Sequence, residues 1–192
     1  MTKPISPIRV AELFGTSENK RVWVPLEKIS PDLPLAVIAS EDGRFCNHWG
    51  VDWAGVRMPL SKAEELVLDR GASTIPMQLA KNMYLWSERS YLRKTLEVPV
   101  AYLISALWQK RAVMETYLNI APWGPVVGAE TASRYYFQKS AADLTRREAI
   151  LLATALPNPS ARNPAKPSPR TLKIVGLTNS GCRCSHRALS VF

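Results

Sequence analysis

The sequence predicts a mainly α-helical domain, and three observations carry that prediction. Apolar residues recur at three- and four-residue spacing in one segment after another. Ser/Thr-x-x-Glu capping boxes open two of those segments. No set of alternating strands is visible. The chain has 192 residues, 46% hydrophobic and 21% charged. That is enough for one well-packed domain and excludes global disorder or a multi-span membrane protein.

In chain order, residues 1–21 read as a linker and Val22-Trp23-Val24-Pro25 as a short extended piece. Ser30, ahead of Pro31 and Asp32, is a helix start. Leu35, Val37 and Ile38 continue that helix to a stop near Glu41 to Gly43. Ser61-Lys62-Ala63-Glu64 is the first capping box, followed by Leu66, Val67 and Leu68. Ser73 or Thr74 caps a helix toward Leu85. Ser90 caps a long one through Leu92, Leu96, Val100, Leu103, Ile104 and Leu107, with Pro99 predicted to kink it. Val113, Met114, Tyr117 and Leu118 mark another helix, with these side chains in the core, and residues 129–137 mark one more. Thr145-Arg146-Arg147-Glu148 is the second capping box and opens the helix ending at Leu156. Five prolines in residues 157–170 exclude a regular helix there, so that stretch wraps the surface or leads away. Residues 171–192 show no period and read as a poorly ordered tail.

Charge and cysteines narrow the function less than they first suggest. Lys+Arg number 25 and Asp+Glu 16, for a net charge of +9. Residues 1–148 hold 19 basic and 16 acidic groups, however, so the excess sits largely in the C-terminal part. Residues 1–148 lack a basic helix face, which argues against a nucleic-acid partner. An anionic lipid or a phosphate-bearing substrate fits the modest excess equally well. Cys46, Cys182 and Cys184 are no disulfide framework. Cys182, Cys184 and His186 form a C-x-C-x-H string without a fourth ligand, so no metal site is assigned. The longest apolar stretch, Val98 to Trp108, has 11 residues, short of the roughly 20 that span a bilayer.

Four polar strings interrupt the helical background: EDGRFCNHWG (41–50), GASTIPMQLAKN (71–82), RKTLE (93–97) and KRAVMETYLN (110–119). Alone, each has an ordinary reading as a solvated helix end, a capped helix, a surface ion pair and a core face. On a helix, Gln78, Lys81 and Asn82 share a face. Ser73, Thr74 and the free N–H groups at that helix start favour an anion.

In this order and spacing, the strings resemble the signature of family 51 glycosyltransferases, the peptidoglycan polymerases. Trp123-Gly124-Pro125 and Tyr136-Phe137-Gln138-Lys139 look most like its monofunctional biosynthetic transglycosylase branch. The resemblance covers residues 22–170 and implies a lysozyme-like, two-lobed helical domain with a central cleft. It implies polymerisation of lipid II into β-1,4-linked glycan strands with inversion, releasing undecaprenyl pyrophosphate. The partners implied are lipid II, the nascent strand, the membrane surface and cell-division or cell-wall synthesis proteins. The place implied is the periplasmic face of the inner membrane. Alternatives are a degenerate lipid II-binding protein and a lysozyme-like, glycan-cleaving enzyme.

The resemblance also assigns roles. Glu41 matches the general base that accepts the proton of the sugar 4-hydroxyl. Glu97 matches the second essential carboxylate, orienting basic groups or a divalent cation (Mg or Mn) at the pyrophosphate. Lys81, Arg93 and Lys94 match the cations facing that leaving group. Ser73, Gln78 and Asn82 match polar positions of the donor site. Asp42, Phe45 and His48 are read as shaping the loop. Gln78, Lys81, Arg93, Lys94 and Glu97 are expected to line one cleft, with Glu41 nearby but outside a tight ion pair. Trp49, Trp53, Trp86 and the Tyr102–Trp108 segment are expected to supply an exposed apolar patch. Three departures stand out: Pro76 where Thr or Ser is usual, which can disturb the helix start; residues 1–21 in place of an anchoring helix; and a C-terminal tail in place of an Arg-rich amphipathic helix.

Overall fold

In a computed structural model, residues 22–53, 73–85, 91–159, 161–169 and 171–172 are described, and their architecture is mainly helical as expected. The linker, the Ser61–Glu64 capping box, Trp86, Ser90 and the Cys182–His186 string lie outside them. Among the described residues six α-helices follow in order: α1 (Asp32–Glu41), α2 (Ile75–Tyr84), α3 (Tyr91–Leu107), α4 (Lys110–Ile120), α5 (Ala129–Phe137) and α6 (Arg146–Ala155). A two-residue hairpin, β1 (Pro122–Trp123) with β2 (Val126–Val127), joins α4 to α5 in antiparallel register.

Helix α1 packs chiefly on α6, and α2 packs on α3 and α4. The common core holds Leu33 and Val37 from α1, Leu79 from α2, Val113, Met114 and Leu118 from α4, and Ile150 and Leu152 from α6. A smaller cluster of Val51, Met77 and Ala101 joins the loop after α1 to α2 and α3.

Helix ends follow local chemistry. Thr145 and Glu148 form the predicted reciprocal capping box on α6. Thr74, not Ser73, caps α2, its hydroxyl accepting from Met77 N at 3.4 Å. Pro76 falls in the first turn of α2 and is buried. A proline there lacks only an N–H that the helix would leave unpaired, so the expected disturbance does not arise. Ser30 is no side-chain cap. Helix α1 begins at Asp32 after Pro31, while Ser30 N donates to Ala141 O at 2.9 Å.

The hairpin is the element that periodicity cannot show, because its strands are two residues long. Trp123 is fully buried and donates from Nε1 to Leu152 O at 3.1 Å. Tyr136 Oη donates to Trp123 O at 2.9 Å, so the two branch-specific strings hold each other. Asn119 clamps the extended entry segment: Val24 N donates to its Oδ1 at 2.8 Å, and its Nδ2 donates to Val24 O at 2.9 Å.

Gly50 closes the first polar string, at φ +95°, and a Cβ there would meet Ala101 O of α3 at 2.6 Å. Both conformation and space therefore demand glycine. Gly50→Ala is expected to lose about 1–3 kcal/mol, read as a lower denaturation midpoint with an unchanged slope. An unchanged midpoint would remove this account of the glycine.

Candidate active site

The first two strings meet at the C-terminal end of α1. Asp42 follows the last turn and is buried; both its oxygens face His48 Nε2, at 2.8 and 2.9 Å. Its Oδ2 also accepts from Ile75 N, the first residue of α2, at 3.0 Å. A carboxylate on a helix N-terminus is favoured by the unpaired N–H groups and the helix dipole. Asp42 therefore ties the end of α1 to the start of α2. Phe45 is fully buried beneath this loop. Lys110, from the fourth string, lies 4.5 Å from the Phe45 ring centroid and donates to His48 O at 2.8 Å. Burial lowers the pKa of that ammonium. Asp42, Phe45 and His48 do shape the loop, and Lys110 locks it.

This arrangement aims Glu41 at α2. Gln78 Nε2 donates to Glu41 Oε2 at 2.9 Å, and Ser40 Oγ to its Oε1 at 3.3 Å. Desolvation raises the Glu41 pKa, partly opposed by the hydrogen bonds from Gln78 and Ser40 and by the charge of Arg162, while Asp42 adds to the rise. Both of these hydrogen-bond donors are uncharged, as a carboxylate kept basic requires. Arg162 comes from the proline-rich stretch, whose described part folds back so that Arg162 Nη1 donates to Thr154 O at 2.9 Å.

The network continues into α3. Gln78 Nε2 also reaches Ser73 O at 3.4 Å. Ser73 Oγ accepts from Lys94 Nζ, which donates at 2.8 Å to Glu97 Oε2. Arg93 Nη1 donates to Glu97 Oε1 at 2.5 Å. Glu41, Gln78, Ser73, Lys94, Glu97 and Arg93 thus form one continuous polar line across α1, α2 and α3. Glu97 and Arg93 are buried, whereas the Lys94 side chain is 47% exposed and half-open to a ligand. Lys81 and Asn82 sit one turn beyond Gln78 on α2, half-buried.

Of the two readings of Glu97, this geometry favours the orienting one. Each of its oxygens already accepts from a cation, and among the described residues no three His, Cys, Asp or Glu side chains converge on a metal-sized site.

Two residues of the fourth string make contacts that the sequence reading did not assign. Lys110 was not assigned a role, and Tyr117 was read as core. Tyr117 is 1% exposed, yet its hydroxyl donates to Gln78 Oε1 at 3.0 Å. The available signal was the phenol itself, since a tyrosine on a buried stripe needs a partner for its O–H.

In this helical domain a half-buried carboxylate is wired through Gln78, Ser73 and Lys94 to a second, cation-flanked one. The transglycosylase family model matches residues 8–177, and this chain belongs to that family. It is 49% identical to the biosynthetic peptidoglycan transglycosylase of Brucella suis over 91% of this chain and 79% of that protein. It is 46% identical to the protein of the same name from Agrobacterium fabrum, over 95% and 81%. The corresponding protein of Nitrobacter winogradskyi is 45% identical, again over 95% and 81%.

Proposed function

We propose that this transglycosylase polymerises lipid II into β-1,4-linked glycan strands with release of undecaprenyl pyrophosphate. It is a peptidoglycan glycosyltransferase of bacterial cell-wall synthesis. The polar line from Glu41 to Arg93 is the observation that carries the reading. A sugar hydroxyl is a weak nucleophile, so its proton must leave as the new bond forms. Glu41, made more basic by burial, accepts it. The departing pyrophosphate gains negative charge, which Lys94 and Lys81 stabilise. Glu97 and Arg93 hold Lys94 in place, while Ser73 and Asn82 line the donor site.

The substrate carries a polyprenyl chain, so the site works at a bilayer surface. Trp49 is 71% exposed and Trp53 51%. Trp53 Nε1 donates to Tyr102 Oη at 2.5 Å, joining that loop to α3. Leu92, Leu96, Leu103 and Leu107 are exposed at helical spacing on one face of α3, opposite Glu97 and Ala101. Trp108, in contrast, packs partly against the core. This apolar face supports a seat at a bilayer surface, and the cell-wall strand the enzyme builds puts that surface on the periplasmic side of the inner membrane. Among the described residues no helix is long and apolar enough to cross it.

Incubation with labelled lipid II in anionic vesicles is expected to give glycan polymer, with the protein sedimenting with the vesicles. Binding without polymer, or clearing of preformed cell walls, would overturn the assignment. Polymerisation by protein that stays in the supernatant would overturn the membrane seat alone.

A further inference from the structure

We propose that Tyr117 is a positioning residue for the reaction: its buried hydroxyl fixes the Gln78 amide so that the NH2 group, not the carbonyl, faces Glu41. The inference rests on the reading of Glu41 as the base.

The hydrogen-bond inventory leaves one arrangement. An ionised carboxylate only accepts, so Gln78 must present Nε2 to it, as it does at 2.9 Å. The other amide proton is directed to Ser73 O at 3.4 Å. Oε1 then points to Tyr117, whose hydroxyl donates at 3.0 Å. Burial first, then the charges of Glu41 and Asp42, push the Tyr117 pKa well above its usual value, so the donor stays protonated. Every polar atom of the amide is engaged.

The consequence lies in the protonated state. A protonated Glu41 needs an acceptor, and a Gln78 amide free to turn would offer its Oε1. Tyr117 occupies that oxygen, so the amide can reward only the ionised carboxylate. The other groups acting on Glu41 are Ser40 from α1, Asp42 at the end of α1 and Arg162 beyond α6. None of these touches the Gln78 carbonyl in the described hydrogen bonds, so Tyr117 holds the switch from α4.

The test is a carbon-13 titration of the Glu41 carboxyl, its resonance identified by its loss in Glu41→Gln. Tyr117→Phe keeps the ring and removes one oxygen. It is expected to raise the Glu41 midpoint by about one pH unit, the size of one hydrogen bond to a charged group. Gln78→Met should raise it in the same direction, and the double variant no further than the larger single shift. An unmoved midpoint in Tyr117→Phe, or two shifts that simply add, overturns the proposal. The acidic limb of kcat/KM for polymerisation should follow the midpoint. A midpoint that moves while the limb stays supports the Tyr117 switch and removes Glu41 as the base.

Discussion

Glu41→Gln is expected to fold, to bind a lipid II analogue and to make almost no polymer. The substitution preserves shape and keeps one acceptor oxygen for Gln78 Nε2, while its NH2 faces Ser40 Oγ, whose oxygen can accept. It removes the capacity to take up a proton. Loss of a general base costs a factor of about 10² to 10⁴ in rate. A variant retaining more than about a tenth of the wild-type rate would put that role elsewhere. Stability should move the opposite way. The Glu41 pKa is raised in the folded state. The native protein therefore binds this proton more tightly than the unfolded chain. The matching stability is complete below the unfolded pKa and lost as pH rises through the folded one. At neutral pH the ionised side chain is a burden that glutamine relieves. The variant should melt at or above the wild-type temperature at pH 7, with the gain fading in acid. A lower melting temperature at pH 7 would contradict the buried-base description.

The second large effect is expected at Glu97. It is 2% exposed and takes hydrogen bonds from Arg93, itself 8% exposed, and from Lys94. Glu97→Ala removes the buried carboxylate that Arg93 and Lys94 share. Breaking such a buried pair typically costs about 3–5 kcal/mol. For a chain of this size that lowers the melting temperature by on the order of 10 °C. Lys94 contributes little of this, because its half-exposed charge is screened by water. Lys94→Met should therefore lose activity with little change in stability. Arg93→Met combined with Glu97→Leu should recover most of the stability and none of the polymerisation. A Glu97→Ala protein that melts within a degree or two of wild type would show that Arg93 finds water or another anion.

Helices and carboxylates were legible in the sequence for different reasons. Leu92, Leu96, Leu103 and Leu107 announce α3 through spacing alone, although their apolar face turns outward and the charged Arg93 and Glu97 turn inward. Periodicity reports a stripe and leaves open which stripe is buried. Glu41, Gln78 and Lys94 were nameable because the polar strings keep a fixed order. Their connection was not, since Glu41 and Gln78 are 37 positions apart. Tyr117 lies in the core as its spacing indicates, but a helical wheel cannot show that its hydroxyl reaches Gln78, 39 positions away. The hairpin at Trp123 was invisible because two-residue strands have no period to detect.

The pairing of α1 with α6 has a consequence for the order in which the molecule is made. Ser40, the neighbour of Glu41, donates to Ala153 O across 113 positions of the chain at 3.3 Å. Contacts of such long sequence separation form late, because the intervening loop must be closed first. During synthesis the segment bearing Glu41 emerges from the ribosome well before α6. Ser40, which also donates to Glu41 Oε1 at 3.3 Å, reaches its α6 partner only once that helix docks, so the surroundings of Glu41 are completed late in folding.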